Sequence, residues 1–338
     1  HHHHVKLSVV EQAPVVEGLT PAHSLQHSIE LARLADRLGY ERFWVAEHHA
    51  EIFNAVPAPE ILIARIAAET SGIRVGSGGV LLSLYSPLKV AEVFRTLHAL
   101  YPDRIDLGIG RANRVKLPVF AALRDDTAGK EPSSDDLWRR LEQLRAYLDP
   151  DSGLPFTVSP RMPGGPALWL LGASVSSAEA AARLGLPYAY AHFITPQFTR
   201  EAMDTYRAAF VPGPDTPSPR PILSVVVCCA ETDAEAQRVY ATHRLFHRRM
   251  SQGDVRLLPP ADLAVAEMDK PGPDPLAEES FEWPRYVVGS PDRVRDQLTK
   301  MADATGAEEL GVVSMIHDQR DRLRSYRLLA EAFELTPR

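Results

Sequence analysis

Short apolar runs alternate with stretches of helical period along almost the whole 338-residue chain, and that alternation predicts βα units around a parallel sheet. The strand-length runs are residues 5–10, 43–47, 74–82, 105–111, 167–172, 188–192, 222–230 and 309–314. Segments whose apolar positions recur three or four apart follow them, to about residue 38 and at 58–69, 87–100, 135–148, 176–184, 196–210, 233–250 and 319–333, with one more helix at 290–304. Punctuation agrees with these bounds, since Gly39 stops the first helix and Pro87 opens the third. Eight strands, each followed by at least one helix, is the chain order of a (β/α)8 TIM barrel, an α/β fold. The rival is an open, doubly wound sheet, which would advertise a glycine-rich phosphate turn after its first strand. Residues 11–20 contain no G-x-G-x-x-G.

The pattern lapses at 112–134, 149–166, 211–221 and 251–284, and much of the chain's 28 prolines falls there. The stretches 112–134 and 251–284 follow strand C-termini directly or after one helix. They are expected to be loop insertions that wall or lid a pocket in a single barrel domain over residues 5–338. Residues 1–4 are histidines and read as a tag remnant.

Lys+Arg 37 against Asp+Glu 44 gives a net charge of −7, which speaks against a nucleic-acid partner. No apolar run is long enough to span a membrane, and no signal peptide is expected. Cys228 and Cys229 are adjacent and cannot build a disulfide framework. A reduced, cytoplasmic setting is expected, with both thiols packed as small hydrophobes.

In a barrel the chemistry gathers at the C-terminal ends of the strands. There the second strand presents Glu47-His48-His49, the third Gly76-Ser77-Gly78-Gly79, the fourth Gly108-Ile109-Gly110-Arg111, the fifth Gly172-Ala173-Ser174 with Ser176 and Ser177 beyond, and the sixth His192. Strand alternation puts Glu47 and His49 on one side and His48 on the other. Glu-His-His is open to three readings: metal ligands, polar packing at the rim, or a histidine that trades protons. The glycines of the third strand point to a bulge or to a close approach of backbone or flat ligand. Arg111 together with a serine-rich helix start would clamp an anion, while a serine at such a start also serves as a plain N-cap. His243 and His247 stand one helical turn apart among Arg244, Arg248 and Arg249 and read as a solvated face. Trp44, Trp138 and Trp169 read as core or rim aromatics, and Trp283 as part of a loop over the mouth.

Taken together, Phe43-Trp44-Val45-Ala46-Glu47-His48-His49, Arg74-Val75-Gly76-Ser77-Gly78-Gly79-Val80 with Ser86-Pro87-Leu88-Lys89-Val90-Ala91-Glu92, and Asp103-Arg104-Ile105-Asp106-Leu107-Gly108-Ile109-Gly110-Arg111 resemble the bacterial luciferase-like flavin monooxygenase family. Gly172-Ala173-Ser174-Val175-Ser176-Ser177-Ala178, Gly185-Leu186-Pro187 and Val288-Gly289-Ser290-Pro291 extend the likeness over nearly the whole chain. The resemblance implies a barrel that holds reduced FMN (FMNH2) at its mouth, uses O2 and needs no metal.

By the same resemblance His48 assists a flavin C4a-peroxide, and Arg111, Ser174 and Ser177 meet the FMN phosphate beside Gly172 and Ala173. Ser77 and Gly78 lie at the isoalloxazine ring, where a non-prolyl cis peptide is expected. Glu47, His49 and His192 are expected at the substrate or behind it. Two positions depart from luciferase proper: Gly110 replaces a reactive cysteine, and Ala173 replaces a glutamate. The expected activity is oxygenation of a lipophilic or aromatic small molecule, such as a natural-product (polyketide, antibiotic-biosynthesis) tailoring step. The expected partners are a separate NAD(P)H:flavin reductase and a second copy in a homodimer packed through small residues such as Ala64, Ala67, Ala68, Ala91 and Ala99. A coenzyme F420-dependent oxidoreductase and a non-catalytic flavin-binding protein are the alternatives.

Overall fold

The computed structural model describes residues 5–112, 114–125 and 133–338; the tag residues 1–4 and part of the 112–134 stretch lie outside them. The elements run β1 (Lys6–Glu11), α1 (Pro21–Leu38), β2 (Arg42–Val45), α2 (Pro59–Glu69), β3 (Arg74–Leu81), α3 (Pro87–Leu100), β4 (Ile105–Gly110), α4 (Leu117–Arg124) and α5 (Ser134–Leu148). They continue with β5 (Ala167–Gly172), α6 (Val175–Leu184), β6 (Tyr188–Ala191), α7 (Thr199–Ala209), β7 (Pro221–Cys229), α8 (Asp233–Ser251), α9 (Ala261–Met268), β8 (Tyr286–Gly289), α10 (Pro291–Thr305), β9 (Glu309–Val313) and α11 (Gln319–Ala332). All strand pairs are parallel, and β1 to β7 with β9 close into the eight-stranded α/β TIM barrel.

Strand alternation sorts the side chains. Leu7, Val9, Phe43, Val45, Val75, Leu107, Ile109, Leu223, Val225 and Val312 join the helices in one large apolar layer. The intervening positions face the axis, and near the strand N-termini they form a polar floor. Arg42 reaches Asp106 at 3.1 Å and Glu309 at 2.9 Å, and Arg74 reaches Asp106 at 2.8 Å. Trp44 Nε1 donates to Asp106 at 2.9 Å and packs edge-on against Trp169 at 5.2 Å. Burial disfavours the Arg42 charge, but Glu309 and Asp106 outweigh it and raise the pKa. The floor closes that end of the barrel to water.

From the level of Asp106 upward the axial positions of β3 and β4 become small. A Cβ on Gly76 would stand 2.2 Å from the Asp106 carbonyl oxygen, and one on Gly108 2.2 Å from that of Ser77. The β3 and β4 backbones therefore touch where any side chain would part them, and the register shifts between Gly78 and Val80. Of the alternatives open for these glycines, backbone approach and a bulge are both present. The cis peptide expected at Ser77–Gly78 is found one residue later, at Gly78–Gly79.

Four elements differ from the sequence expectation: α4 and α9 are eight-residue helices inside the stretches 112–134 and 251–284 expected as loop insertions, and β8 and α8 depart as well. Residues 286–289 form a ninth strand, β8, on the edge of β7 opposite β9: Val226 pairs with Val313 on one side and Tyr286 on the other. The helix expected to follow the seventh strand on the outer ring, α8, instead lies over the mouth. Its Phe246 packs with Val16, Phe53, Leu258 and Met315, which lie beyond the strand C-termini or in the segment after α8. The outer-ring position between α7 and α11 is taken by α10. No helix is long and apolar enough among the described residues to cross a membrane.

Candidate active site

β2 ends at Val45, so Glu47, His48 and His49 lie on the loop beyond it. Glu47 and His49 nevertheless meet: His49 Nε2 is 2.6 Å from Glu47 Oε2. Tyr85, from the β3–α3 connection, donates its hydroxyl to the same oxygen at 2.8 Å, and the Leu81 amide lies 3.4 Å from Oε1. His48 points elsewhere. Its amide donates to the Val56 carbonyl at 3.0 Å, while its Nδ1 is buried without a hydrogen-bond partner among the described residues. Burial, then Arg114 and His49, lowers the His48 pKa to about 4, so the ring is neutral at pH 7.

Arg111 follows β4 directly and donates to Ser134 Oγ at 2.8 Å. It forms no ion pair with a carboxylate among the described residues. Ile109 pairs with Leu170, so Arg111 and Gly172 extend neighbouring strands to the same level. Ser174 is the N-cap of α6: its hydroxyl accepts the Ser177 amide at 3.1 Å. Ser177 is fully buried, with its hydroxyl 2.7 Å from the Ser174 carbonyl and 2.8 Å from the Tyr188 hydroxyl. A Cβ on Gly172 would stand 2.1 Å from that Oγ. Capping leaves the first-turn amides of Val175 and Ser176 facing outward with exposed Ser176, 3.2 Å from Ser174 Oγ. Ser77 is fully buried and bridges strands, donating to the Gly108 carbonyl at 2.9 Å and accepting its amide at 3.0 Å.

Across the mouth, α8 carries the residues expected on a solvated face, and the expectation fails. His243 is buried, its Nε2 2.8 Å from that of His247, and its ring lies 4.5 Å from Tyr286. Tyr286 in turn packs with Val10, Val226 and Val313 on the barrel axis. A solvated face was expected because three arginines flank the pair. Buried Arg248 instead points away, donating to the carbonyls of Glu267, Lys270, Gly272 and Pro273. His192 is fully buried and ties this roof down: Nε2 donates to the Pro284 carbonyl at 2.8 Å and Nδ1 accepts from Thr199 Oγ1 at 2.7 Å. Trp283 packs beside it at 6.5 Å. A cleft of about 260 Å³ between Arg95, Tyr147, Phe156 and Arg161 precedes β5, at the opposite end from the strand C-termini.

The profile of the luciferase-like monooxygenases matches residues 5–309. The chain belongs to the luciferase-like monooxygenase family. It is therefore a flavin-dependent monooxygenase with a TIM-barrel fold. It is 39% identical to the uncharacterized protein YceB of Bacillus subtilis, over 97% of this chain and 99% of that protein. It is 33% identical to a luciferase-like monooxygenase of Escherichia coli, over 98% and 97%. Among solved structures it resembles apo-MsnO8 with a TM-score of 0.98 and 99% identity, covering 99% of this chain and 100% of that one.

A flavin is what this family implies, and the residues at the mouth fit one. Among the described residues a Cβ on Gly110 would touch only Leu81, at 3.7 Å, so the wall there is open to a flat ring. His48 offers a buried nitrogen that no group among the described residues satisfies. Among the described residues Arg111 is a cation without a carboxylate, beside a helix start, the arrangement that suits a phosphate. Tyr85 is the site residue that sequence reading missed, because nothing local distinguishes a tyrosine after a strand.

Proposed function

We propose that this family member uses FMNH2 and O2 to oxygenate a lipophilic or aromatic small molecule, with reduced flavin delivered by a separate NAD(P)H:flavin reductase. The observation that carries the reading is His48: a neutral histidine at the mouth of a monooxygenase barrel, its buried Nδ1 without a partner among the described residues. Bound flavin supplies the oxygen chemistry that side chains lack. The chain's own part is binding, orientation and proton handling. Arg111 and the first amides of α6 would hold the FMN phosphate, with Ser174 setting the helix start. The floor below and the α8 roof above keep water out. Neutral at pH 7, the His48 ring has one nitrogen that accepts and one that donates, and either serves a ligand at the mouth. The roof presents Tyr240, Tyr286, His243 and His247 in mutual contact, ring centroids 4.5 to 6.2 Å apart, a surface suited to an aromatic substrate.

The same reading takes the protein to be a homodimer joined at α2 and α3, where Ile61 and Leu100 are 72% and 60% exposed. Ala67 and Ala91, two of the small residues expected at that contact, are instead consumed by the barrel's own core. The test of function is rapid mixing of protein and photoreduced FMN with oxygenated buffer. Flavin reoxidation slower than that of free FMNH2 is expected, and His48→Ala should bring the rate back toward the free value with FMN still bound. Reoxidation at the free rate in the wild type would overturn the proposal.

A further inference from the structure

Two side chains converge on one carboxylate oxygen at the rim of the mouth. Glu47 Oε2 lies 2.6 Å from His49 Nε2 and 2.8 Å from the Tyr85 hydroxyl, which is itself 3.2 Å from His49 Nε2. The Glu47 side chain is 1% exposed and that of His49 8%. A carboxylate can only accept, so both neighbours donate to it, and the His49 proton is held on Nε2. That leaves the lone pair on Nδ1. This nitrogen bonds no described residue and, unlike His48 Nδ1, is not sealed from solvent.

We infer that Tyr85 is a positioning residue of this active site: it holds the Glu47 carboxylate on His49, and Glu47 fixes His49 as the Nε2–H tautomer, which presents Nδ1 as a second proton acceptor beside His48. A carboxylate oriented on one imidazole nitrogen makes the other the base. The acceptor takes a proton from an acidic X–H group of the substrate, a phenol or enol hydroxyl being the class that matches an imidazole. The O–H bond breaks, an N–H bond forms at Nδ1, and the imidazolium is balanced by the Glu47 carboxylate. This role rests on the monooxygenase reading above; the tautomer beneath it does not.

Burial, followed by Glu47, raises the Tyr85 pKa above the ordinary tyrosine range, so its hydroxyl stays a donor at any pH the protein meets. Its carbonyl accepts from Arg140 at 2.6 Å, which anchors the residue from α5. The ionisable groups coupled to His49 are His48 and Glu51 on its own loop; Arg114 acts on both of these and Lys116 on Glu51, from the β4–α4 segment. Glu60 on α2 acts on Tyr85. None of the five bonds the ring.

The test is the 15N spectrum of histidine-labelled protein at neutral pH, with the His49 signals assigned through His49→Gln. A charge-assisted bond of this kind predicts the Nε2–H tautomer in more than about ten-fold excess. Glu47→Gln should abolish that excess. Tyr85→Phe should keep the tautomer and speed exchange of the Nε2 proton with water by roughly ten-fold, the loss of one hydrogen bond. An Nδ1–H tautomer in the wild type, or unchanged proton exchange in Tyr85→Phe, would overturn the inference. The same spectra taken with FMN separate the two readings. Absence of FMN binding would count against the proposed function and leave the His49 result standing.

Discussion

Arg111 and Gly76 show how differently single residues carry this site. Arg111 makes one hydrogen bond, to Ser134, and has no carboxylate within the described residues, so its charge is available to a ligand. Arg111→Ala should therefore weaken FMN by roughly 10- to 100-fold, the range of a charge-assisted bond, and riboflavin far less. Equal losses for both flavins, read by fluorescence titration, would remove the phosphate from its role. Gly76 works through the backbone. Gly76→Ala sets a methyl 2.2 Å from the Asp106 carbonyl oxygen, against 3.7 Å from Leu81 for Gly110→Ala. Chemical denaturation should show a loss of about 3 kcal/mol or more for the first, and a change within about 0.5 kcal/mol for the second. The glycines were legible in the sequence because a cluster of them weakens a strand and is tolerated chiefly where backbones close in or a bulge forms. Tyr85 was not, because its role exists only once β2 and the β3–α3 connection are side by side.

Among the elements, the outer layer of the barrel was legible because period and punctuation agreed at nearly every strand and helix. What failed was placement. The α8 sequence is amphipathic and sits after a strand, as an outer-ring helix does, and nothing local says which surface its apolar face will meet. β8 is four residues long and follows a proline-rich stretch, too short to show a period. Its partner, the far end of β7, is the longest strand in the sheet at nine residues, and that extra length is where β8 attaches. The returning arm of the roof is riveted to β6. His192 holds the Pro284 carbonyl, and Arg285 donates to the Phe193 and Ile194 carbonyls, each at 2.9 Å. His192→Ala deletes the first of these ties and leaves the Thr199 hydroxyl without its acceptor. Hydrogen exchange should then speed selectively at residues 281–289, with the outer helices unchanged. Uniform loss of protection would mean that His192 supports the whole barrel rather than the roof.

For the molecule as a whole, the buried histidines set a pH dependence of stability whose sign follows from their shifts. Burial lowers His48, His192 and His247 to about 4 and His243 well below its usual value. In the unfolded chain each titrates near 6.5, so on acidification the unfolded state takes up protons first. Stability is complete above about pH 6.5 and falls as pH drops toward 4, by up to about 1.4 kcal/mol per pH unit for a fully buried histidine such as His192. Carboxylates held low by their partners, such as Asp36 with the Ser71, Ile73 and Gly72 amides, add their losses only below the ordinary carboxylate range. Glu51 and Asp321, raised by burial, work in the opposite sense, since the folded state binds their protons more readily. The interval from pH 6.5 to 5 therefore isolates the histidines, opposed by two carboxylates. Urea unfolding should give equal midpoints at pH 7.5 and 7.0 and a falling midpoint from 6.5 to 5. His192→Gln should flatten that slope, because the glutamine keeps a donor for the Pro284 carbonyl and has no proton to gain. A midpoint that rises on acidification across this interval would show that the raised carboxylates outweigh the histidines.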